Sequence, residues 1–503
     1  MTVTNLGALP PSARHNPLPA FIMPQGEGQE QAITFGELDA RANAVGAALQ
    51  ARGYQPGERI ALLGRNSIAF ITAFLGILRA GLVAVPISIK FPAATLEKIL
   101  DDCDARLMMG DDVLLASLAA TRSRWSFSEL VTLAPVTDYD AFAPQADSLA
   151  MLLYTSGSTG MPKGVRLTHA SHRWVVETRL AANELADQRV LIAAPFYHMN
   201  ALALALLTLA SGVTTILLPQ FQVREYIAAI ARYRCTWITA VPPMIAMMMK
   251  EQALLAENDL SSVRVVRMGS APVNEGLFNQ IRQIWPNGRI INAYGTTEGG
   301  PIVFGPHPQG HAAPLQSNGY AHPAVSLRLR DEQGQFSDHG VLEMKSPALM
   351  QGYHQRPDVS APFTDDGYYI TGDVFMCDEH GFYTFIGRRD DMFVCGGENI
   401  YPGEVEKLLE QHPAVQQACV VAVNDEIKGS KPVAWIIPRQ GSVVRPEEIK
   451  AWTLENGPAY LHPRHIWLTD SFPLAGTNKV DKQALRAEAE RYLATATDKE
   501  MRA

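Results

Sequence analysis

Two hydrophobic rhythms alternate along the first part of the chain. "ITFGELDARANAVGAALQARG", residues 33–53, carries apolar side chains at helical spacing, with Thr34 and Glu37 at capping-box separation and Gly53 at its end. "ERIALLG" then predicts a short buried strand, "SIAFITAFLGILRAG" a helix and "LVAVPI" another strand. The pattern continues through "RVLIAAP", "TTILLP", "CTWITAVP" and "VRVVRMG", each an apolar run stopped by Pro or Gly. Such strand–helix–strand alternation implies parallel sheets covered by helices on both faces.

From about residue 315 the texture changes to shorter, turn-rich strand signals: "SLRLRDEQGQF", "GVLEMKS" and "GYYITGDVFMCDEHGFYTFIG". After "GRRDDMFVCGGEN" it changes again. "YPGEVEKLLEQHP", with Pro near the first helical position, "VQQACVVAV", "PVAWIIP", "RPEEIKAWTLENG", "HIWLTD" and "DKQALRAEAERYL" read as a compact α+β unit. The expected architecture is α/β. A large N-terminal domain, 1–386, holds layered, mostly parallel sheets with a β-rich subdomain at about 315–386; a hinge at 387–391 leads to a small mobile α+β domain, 392–503.

Length and composition narrow the classes. At 503 residues the chain is too long for one ordinary core. Apolar residues at 47% and charged residues at 19% fit a globular protein, and a net charge of -8 argues against a large nucleic-acid or anionic-membrane footprint. The five cysteines (103, 235, 377, 395 and 419) form no CxxC pair, which reads as unpaired thiols in a reducing compartment. The N-terminus lacks the layout of a signal peptide, so the expected location is the cytoplasm. One stretch, "ALALALLTLASGVTTILL" at 201–218, is long enough to raise the question of a membrane span. Ser211 and Gly212 split it into a helix-length and a strand-length half.

Five segments carry candidate chemistry. "YTSGSTGMPKG" leaves a buried strand and ends in a stiff closure that a linker does not need; its glycines let N–H groups wrap an anion, and Lys163 supplies charge. It lacks the Walker A spacing, and no GxSxG occurs in the chain. "NAYGTTEGG" is either a polar turn or a nucleotide site: Tyr294 offers a flat face to a base, Thr296 and Thr297 offer phosphate donors, and Glu298 offers a hard oxygen to Mg²⁺. "YYITGDVF" puts Asp373 just past an apolar strand, as a turn residue or as an acceptor for ribose hydroxyls. "GRRDD" falls on the expected domain boundary, where a hinge or a solvated charge cluster fits. "LAGTNKVDK" presents Lys479 before the last helix, and a lone lysine there is ordinarily a surface residue.

In this order and over nearly the whole chain, these segments resemble the adenylate-forming superfamily of acyl- and aryl-CoA ligases, peptide-synthetase adenylation domains and luciferases. The matching stretches are "YTSGSTGMPKG", "PFYHMNAL", "YGTTE", "LMQGYHQRP", "YYITGD", "GRRDDMFVCGGENIYPGEVE" and "NKVDK". The resemblance implies two half-reactions: a carboxylate attacks the α-phosphate of MgATP, giving an acyl-adenylate and pyrophosphate, and a thiol then displaces AMP.

It also implies roles. Thr155, Ser156, Gly157, Ser158, Thr159, Gly160 and Lys163 would hold the β- and γ-phosphates. Gly269, Ser270, Ala271 and Pro272 would sandwich adenine with Tyr294, inside the stretch Asn292, Ala293, Tyr294, Gly295 and Thr296. Thr297 would touch the α-phosphate, Glu298 hold Mg²⁺, and Asp373 and Arg388 bind ribose. Lys479 would bridge the carboxylate and the α-phosphate, Asp390 would be the hinge, and Gly396 and Gly397 would line a tunnel for CoA. His198 would gate the acid pocket, which Asn200, Val241, Pro243, Met268, Gly269 and Gly299 would line.

Asn200 and the bulky Pro243, Met244 and Met268 point to a short, branched, hydroxylated or aromatic acid. Arg267, close by in sequence, weakens any exclusion of a second carboxylate. The cations Lys428, Lys431 and Arg464 favour CoA as the thiol, although Lys428 and His462 depart from the pattern of related ligases. The expected partners are a small acid, ATP and CoA, with no nucleic acid and no membrane; dimers are common for this architecture. The alternatives are a freestanding enzyme loading a carrier protein, a medium- or long-chain fatty acyl-CoA synthetase, and a nucleotide-binding protein without turnover.

Overall fold

A computed structural model describes residues 4–119, 121–155, 162–182, 185–269, 273, 275–356, 362–395, 398–425, 428–475 and 479–500. Two largely parallel sheets form the body. One has six strands, ordered 123–126, 105–110, 59–63, 83–86, Leu149–Thr155 (β1) and Lys163–Thr168 (β2). The other has seven, with Val265–Gly269 (β3) and Arg289–Ala293 (β4) at one edge and 19–24 paired with 30–34 at the other. Neighbours run parallel in both except at one edge of each, where β1–β2 and 19–24/30–34 are antiparallel. The α/β class follows from the sequence rhythm: buried runs such as Ile60–Leu63 have helices on both sides and show no period-two alternation.

Local signals hold. Thr34 caps the helix Phe35–Ala51 through a complete capping box with Glu37. The apolar stretch at 201–218 divides into helix Met199–Ser211 (α1) and strand Thr215–Leu217, because Gly212 takes a left-handed φ of 69° that ends the helix. Among the described residues no helix is long and apolar enough to cross a membrane.

One face of the seven-stranded sheet shares a core with α1 and the six-stranded sheet, while Val266, Met268, Ile238 and Ile216 point to a second core on the other face. The β-rich region is an antiparallel six-stranded sheet that includes Tyr369–Cys377 (β5) and Phe382–Arg388 (β6). Asp373 lies inside β5, paired with Arg388 and next to a bulge, rather than just past a strand as the sequence suggested.

Beyond β6 a 3₁₀ turn, Arg389–Asp391, leads into a five-strand sheet flanked by helices Pro402–Glu410 (α2) and Lys482–Glu500 (α3). This region has cores of its own. It meets the body through Lys250 Nζ donating to the Asp470 carbonyl at 2.5 Å and Asn399 donating to Glu332 at 2.7 Å. Gly403 comes so close to the body that a Cβ there would lie 2.7 Å from the Ile386 carbonyl oxygen. All five cysteines are free; four are buried and Cys377 is half-buried. Burial pushes the Cys103 and Cys235 thiols up to about 12.

Candidate active site

The C-terminal ends of β3 and β4, the turn after β4, and the paired strands β5 and β6 converge on one cleft. This is where ligands bind in open α/β sheets. Gly269 pairs with Ala293, and Asn292 reaches toward the Ser317 carbonyl at 3.5 Å. The following turn is tight: Gly300 N–H donates to the Thr296 carbonyl at 2.9 Å, and Gly299 N–H to Thr296 Oγ1 at 2.8 Å. Gly295 lies so close to its return strand that a Cβ would stand 2.7 Å from the Gly300 carbonyl oxygen, so only glycine fits. Thr297 and Glu298 are thereby held at the tip, half-buried.

Four tyrosines, three of them outside the expected site set, organise the acidic groups. Tyr294 donates its hydroxyl to Asp373 Oδ2 at 2.5 Å, and its ring packs edge-on against Phe375 at 4.9 Å. Tyr353 donates to Glu298 Oε1 at 3.2 Å while Lys163 lies 5.2 Å above its ring, so one side chain links the base of the β1–β2 loop to the carboxylate. Burial raises the pKa of Tyr369, and the nearby Glu298 and Asp373 raise it further. Tyr154 hydrogen-bonds Asp102 at the end of β1. The signals for Tyr353 and Tyr369 were present in "LMQGYHQRP" and "YYITGD", but no local rule assigns either a partner.

Arg388 approaches Asp373 at 3.6 Å. Burial raises the pKa of Glu298 and of Asp373; Arg388 opposes both shifts, and Tyr294 and Tyr353 each lower the carboxylate they donate to. Lys479 reaches this cleft from the C-terminal region. Its side chain is exposed, yet the surrounding protein desolvates the ammonium enough to lower its pKa, with Asp373 and Glu298 acting the other way and Arg388 adding to the shift. His198 stands at the N-cap of α1 with Nε2 buried and without a hydrogen-bond partner among the described residues. Desolvation, and then Lys479 and Lys90, hold its pKa down at about 4, so the imidazole is neutral.

The structure brings Tyr294, Thr296, Thr297, Glu298, Asp373, Arg388, Lys479 and His198 to this cleft, and Lys163 to its rim. Asp390 lies in the 3₁₀ turn. Ser156, Gly157, Ser158, Thr159, Gly160, Ser270, Ala271, Pro272, Gly396 and Gly397 lie outside the described residues; Thr155 ends β1 in register with Lys163.

The expected pocket wall needs one correction. Met268 and Met244 are fully buried in the second core with Val241, because strand alternation turns Met268 away from α1. The face toward α1 carries Arg267, which donates to Asn200 Oδ1 at 2.7 Å. Pro243 is buried in the helix Pro242–Lys250, and Gly299 sits beneath Glu298 against Met344.

A desolvated carboxylate at a turn tip, a carboxylate–guanidinium pair and a lysine from the C-terminal region suit a charged, phosphate-bearing substrate. Comparison with known proteins agrees. The family model "AMP-binding enzyme" matches residues 11–354, and "AMP-binding enzyme C-terminal domain" matches 404–479. A feruloyl-CoA synthase from Amycolatopsis sp is 32% identical over 475 residues, covering 90% of this chain and 94% of that protein. ATP-bound MatB from Rhodopseudomonas palustris superposes with a TM-score of 0.85 at 26% identity, covering 97% and 99% of the two chains. The o-succinylbenzoate CoA synthetase MenE from Bacillus subtilis, solved with its acyl-adenylate intermediate, gives 0.79 at 27% identity, covering 96% and 98%.

Proposed function

The chain belongs to the AMP-binding enzyme family, and we propose that it works as a ligase joining a small or aromatic carboxylic acid to coenzyme A through an acyl-adenylate. The observation that carries this reading is Lys479: from a separately cored region it enters the cleft beside Asp373, Glu298 and Arg388.

Little covalent chemistry is needed, so positioning and charge stabilisation carry the rate. Asp373, fixed by Tyr294, accepts from the ribose hydroxyls, and Arg388 opposes the upward pKa shift that burial imposes on that carboxylate. Lys163 and the β1–β2 loop hold the outer phosphates. The acid's carboxylate lies between neutral His198 and Lys479, whose ammonium stabilises the charge that builds on the α-phosphate during attack. His198, with its low pKa, places no competing positive charge there.

Glu298 fits Mg²⁺: it is a hard oxygen donor whose buried charge a cation would compensate, and no cluster of three metal-ligating side chains occurs among the described residues. Mg²⁺ brought by ATP would keep water and phosphate ligands, with Glu298 as its protein contact, and would neutralise phosphate charge.

For the thiol step we place the moving part at residues beyond 391, with Asp390 as pivot. Rotation withdraws Lys479 and brings up Gly396 and Gly397. Their neighbour Cys395 pairs with Gly429, beside the cations Lys428 and Lys431, which suit the phosphates of CoA. The work is expected in the cytoplasm, where ATP and CoA are available.

The test is AMP release from ATP across acetate to octanoate, branched and hydroxy acids, and benzoates, each with and without CoA. Strong CoA dependence with a compact acid is the expected result. Pyrophosphate formation without CoA-stimulated AMP release would instead assign the acyl group to another acceptor, such as a carrier protein.

A further inference from the structure

Residues 350–354 join two parts of the cleft that come from different sheets. On one side they pair with β2: Tyr353 bridges Val165, His354 N–H donates to the Gly164 carbonyl at 2.7 Å, and Arg166 N–H to the Gly352 carbonyl at 3.1 Å. On the other side Met350 N–H donates to the Glu298 carbonyl at 2.8 Å. A short strap therefore ties the return of the β1–β2 loop to the turn that carries Glu298.

Tyr353 repeats this link with its side chain. Its hydroxyl donates to Glu298 Oε1 at 3.2 Å, and its ring lies 5.2 Å from Lys163 Nζ. Buried Tyr369 hydrogen-bonds the same hydroxyl, and a phenol that accepts on one side directs its own proton to the other. One residue thus reaches both the carboxylate that suits Mg²⁺ and the cation that suits the outer phosphates. The two contacts are separable, because the hydroxyl serves Glu298 and the ring face serves Lys163.

We propose that Tyr353 is a positioning residue that ties the phosphate loop to the Glu298 carboxylate, so that Mg²⁺ and the nucleotide phosphates are recognised as one unit. The proposal rests on the ligase reading and deepens it at the ATP site. A hydrogen-bonded carboxylate is oriented before the metal arrives, and losing such a partner costs about 10- to 100-fold in metal affinity. A cation over an aromatic face contributes less, about two- to fivefold at a half-buried site.

Calorimetric binding of ATP, in EDTA and in saturating Mg²⁺, separates the two contacts without turnover. Tyr353→Phe keeps the ring and removes the hydroxyl. It should leave the affinity for metal-free ATP within about twofold and cut the gain from Mg²⁺ by about tenfold. Tyr353→Leu removes both contacts and should also weaken metal-free ATP, by about two- to fivefold. If Tyr353→Leu does not fold, Tyr353→Phe alone decides, because it keeps the packing of the ring. A gain from Mg²⁺ unmoved by Tyr353→Phe, equal losses with and without the metal included, would assign the residue to packing and overturn the proposal while leaving the ligase reading intact. So would a native chain that gains nothing from Mg²⁺. Absence of ATP binding by the native chain would overturn both.

Discussion

The two sheets of the body share one continuous apolar core that runs from Leu6 to Tyr369, whereas residues 393–493 bury their apolar side chains in two smaller cores of their own. What joins the two regions is different in kind: exposed polar contacts at Asp470 and Asn399, and a glycine's close approach at Gly403. Breaking an apolar core exposes surface at about 25 cal/mol per Å². Exchanging an exposed hydrogen bond for water costs about 1 kcal/mol or less. The body is therefore built to stay together, and the lighter join suits the proposal that the C-terminal region lets go. In the proposed mechanism the residue it carries to the cleft, Lys479, serves the half of the reaction that must end before a thiol can enter.

The sharpest break in this contrast is Lys479→Met. Adenylation, followed by acid-dependent ATP–pyrophosphate exchange, should fall by about 10²- to 10³-fold. Transfer to CoA from a supplied acyl-adenylate should change little, and equal loss in both would tie Lys479 to the fold rather than to one step.

Asp390→Pro stiffens the link between the regions. It should slow thioester formation at least about tenfold more than adenylation, a difference of about 1.4 kcal/mol in barrier; parallel losses would remove the hinge role.

Loosening the join is a gentler test. Lys250→Ala with Glu332→Ala removes both exposed contacts, and adenylation should slow by about two- to fivefold while transfer to CoA does not. Slower transfer would mean that these contacts serve both orientations.

The smallest effect is in the pH profile. Lys479 has a lowered pKa and Glu298 and Asp373 raised ones, so adenylation should fade in acid above the usual carboxylate range as the carboxylates protonate. It should fade in alkali below the usual lysine range as the ammonium loses its proton. Lys479→Arg should move the alkaline limb upward, because a guanidinium keeps its charge. An unmoved limb would assign it to another group.

Much of the fold is legible from local rules. The Thr34–Glu37 box and the break at Gly212 depend on residues a few positions apart, and the buried parallel strands announce themselves as apolar runs. The cleft is legible only through resemblance, since its bonds span long separations: Tyr294 to Asp373 and Glu298 to Tyr353. The assignment of Met268 to the pocket failed on a simpler point. A strand turns successive side chains to opposite faces, and which face meets α1 is fixed by the register of β3 against its neighbours. That register selected Arg267.

The buried cysteines have a consequence for redox behaviour. A ligase that takes a free thiol as substrate meets CoA and its disulfide together, and exchange requires an accessible thiolate on the protein. Cys103, Cys235, Cys395 and Cys419 are enclosed, and burial also pushes the thiols of Cys103, Cys235, Cys377 and Cys419 toward the protonated form. The protein can thus handle a thiol without trading sulfur with it, and its turnover should persist when part of the CoA pool is oxidised.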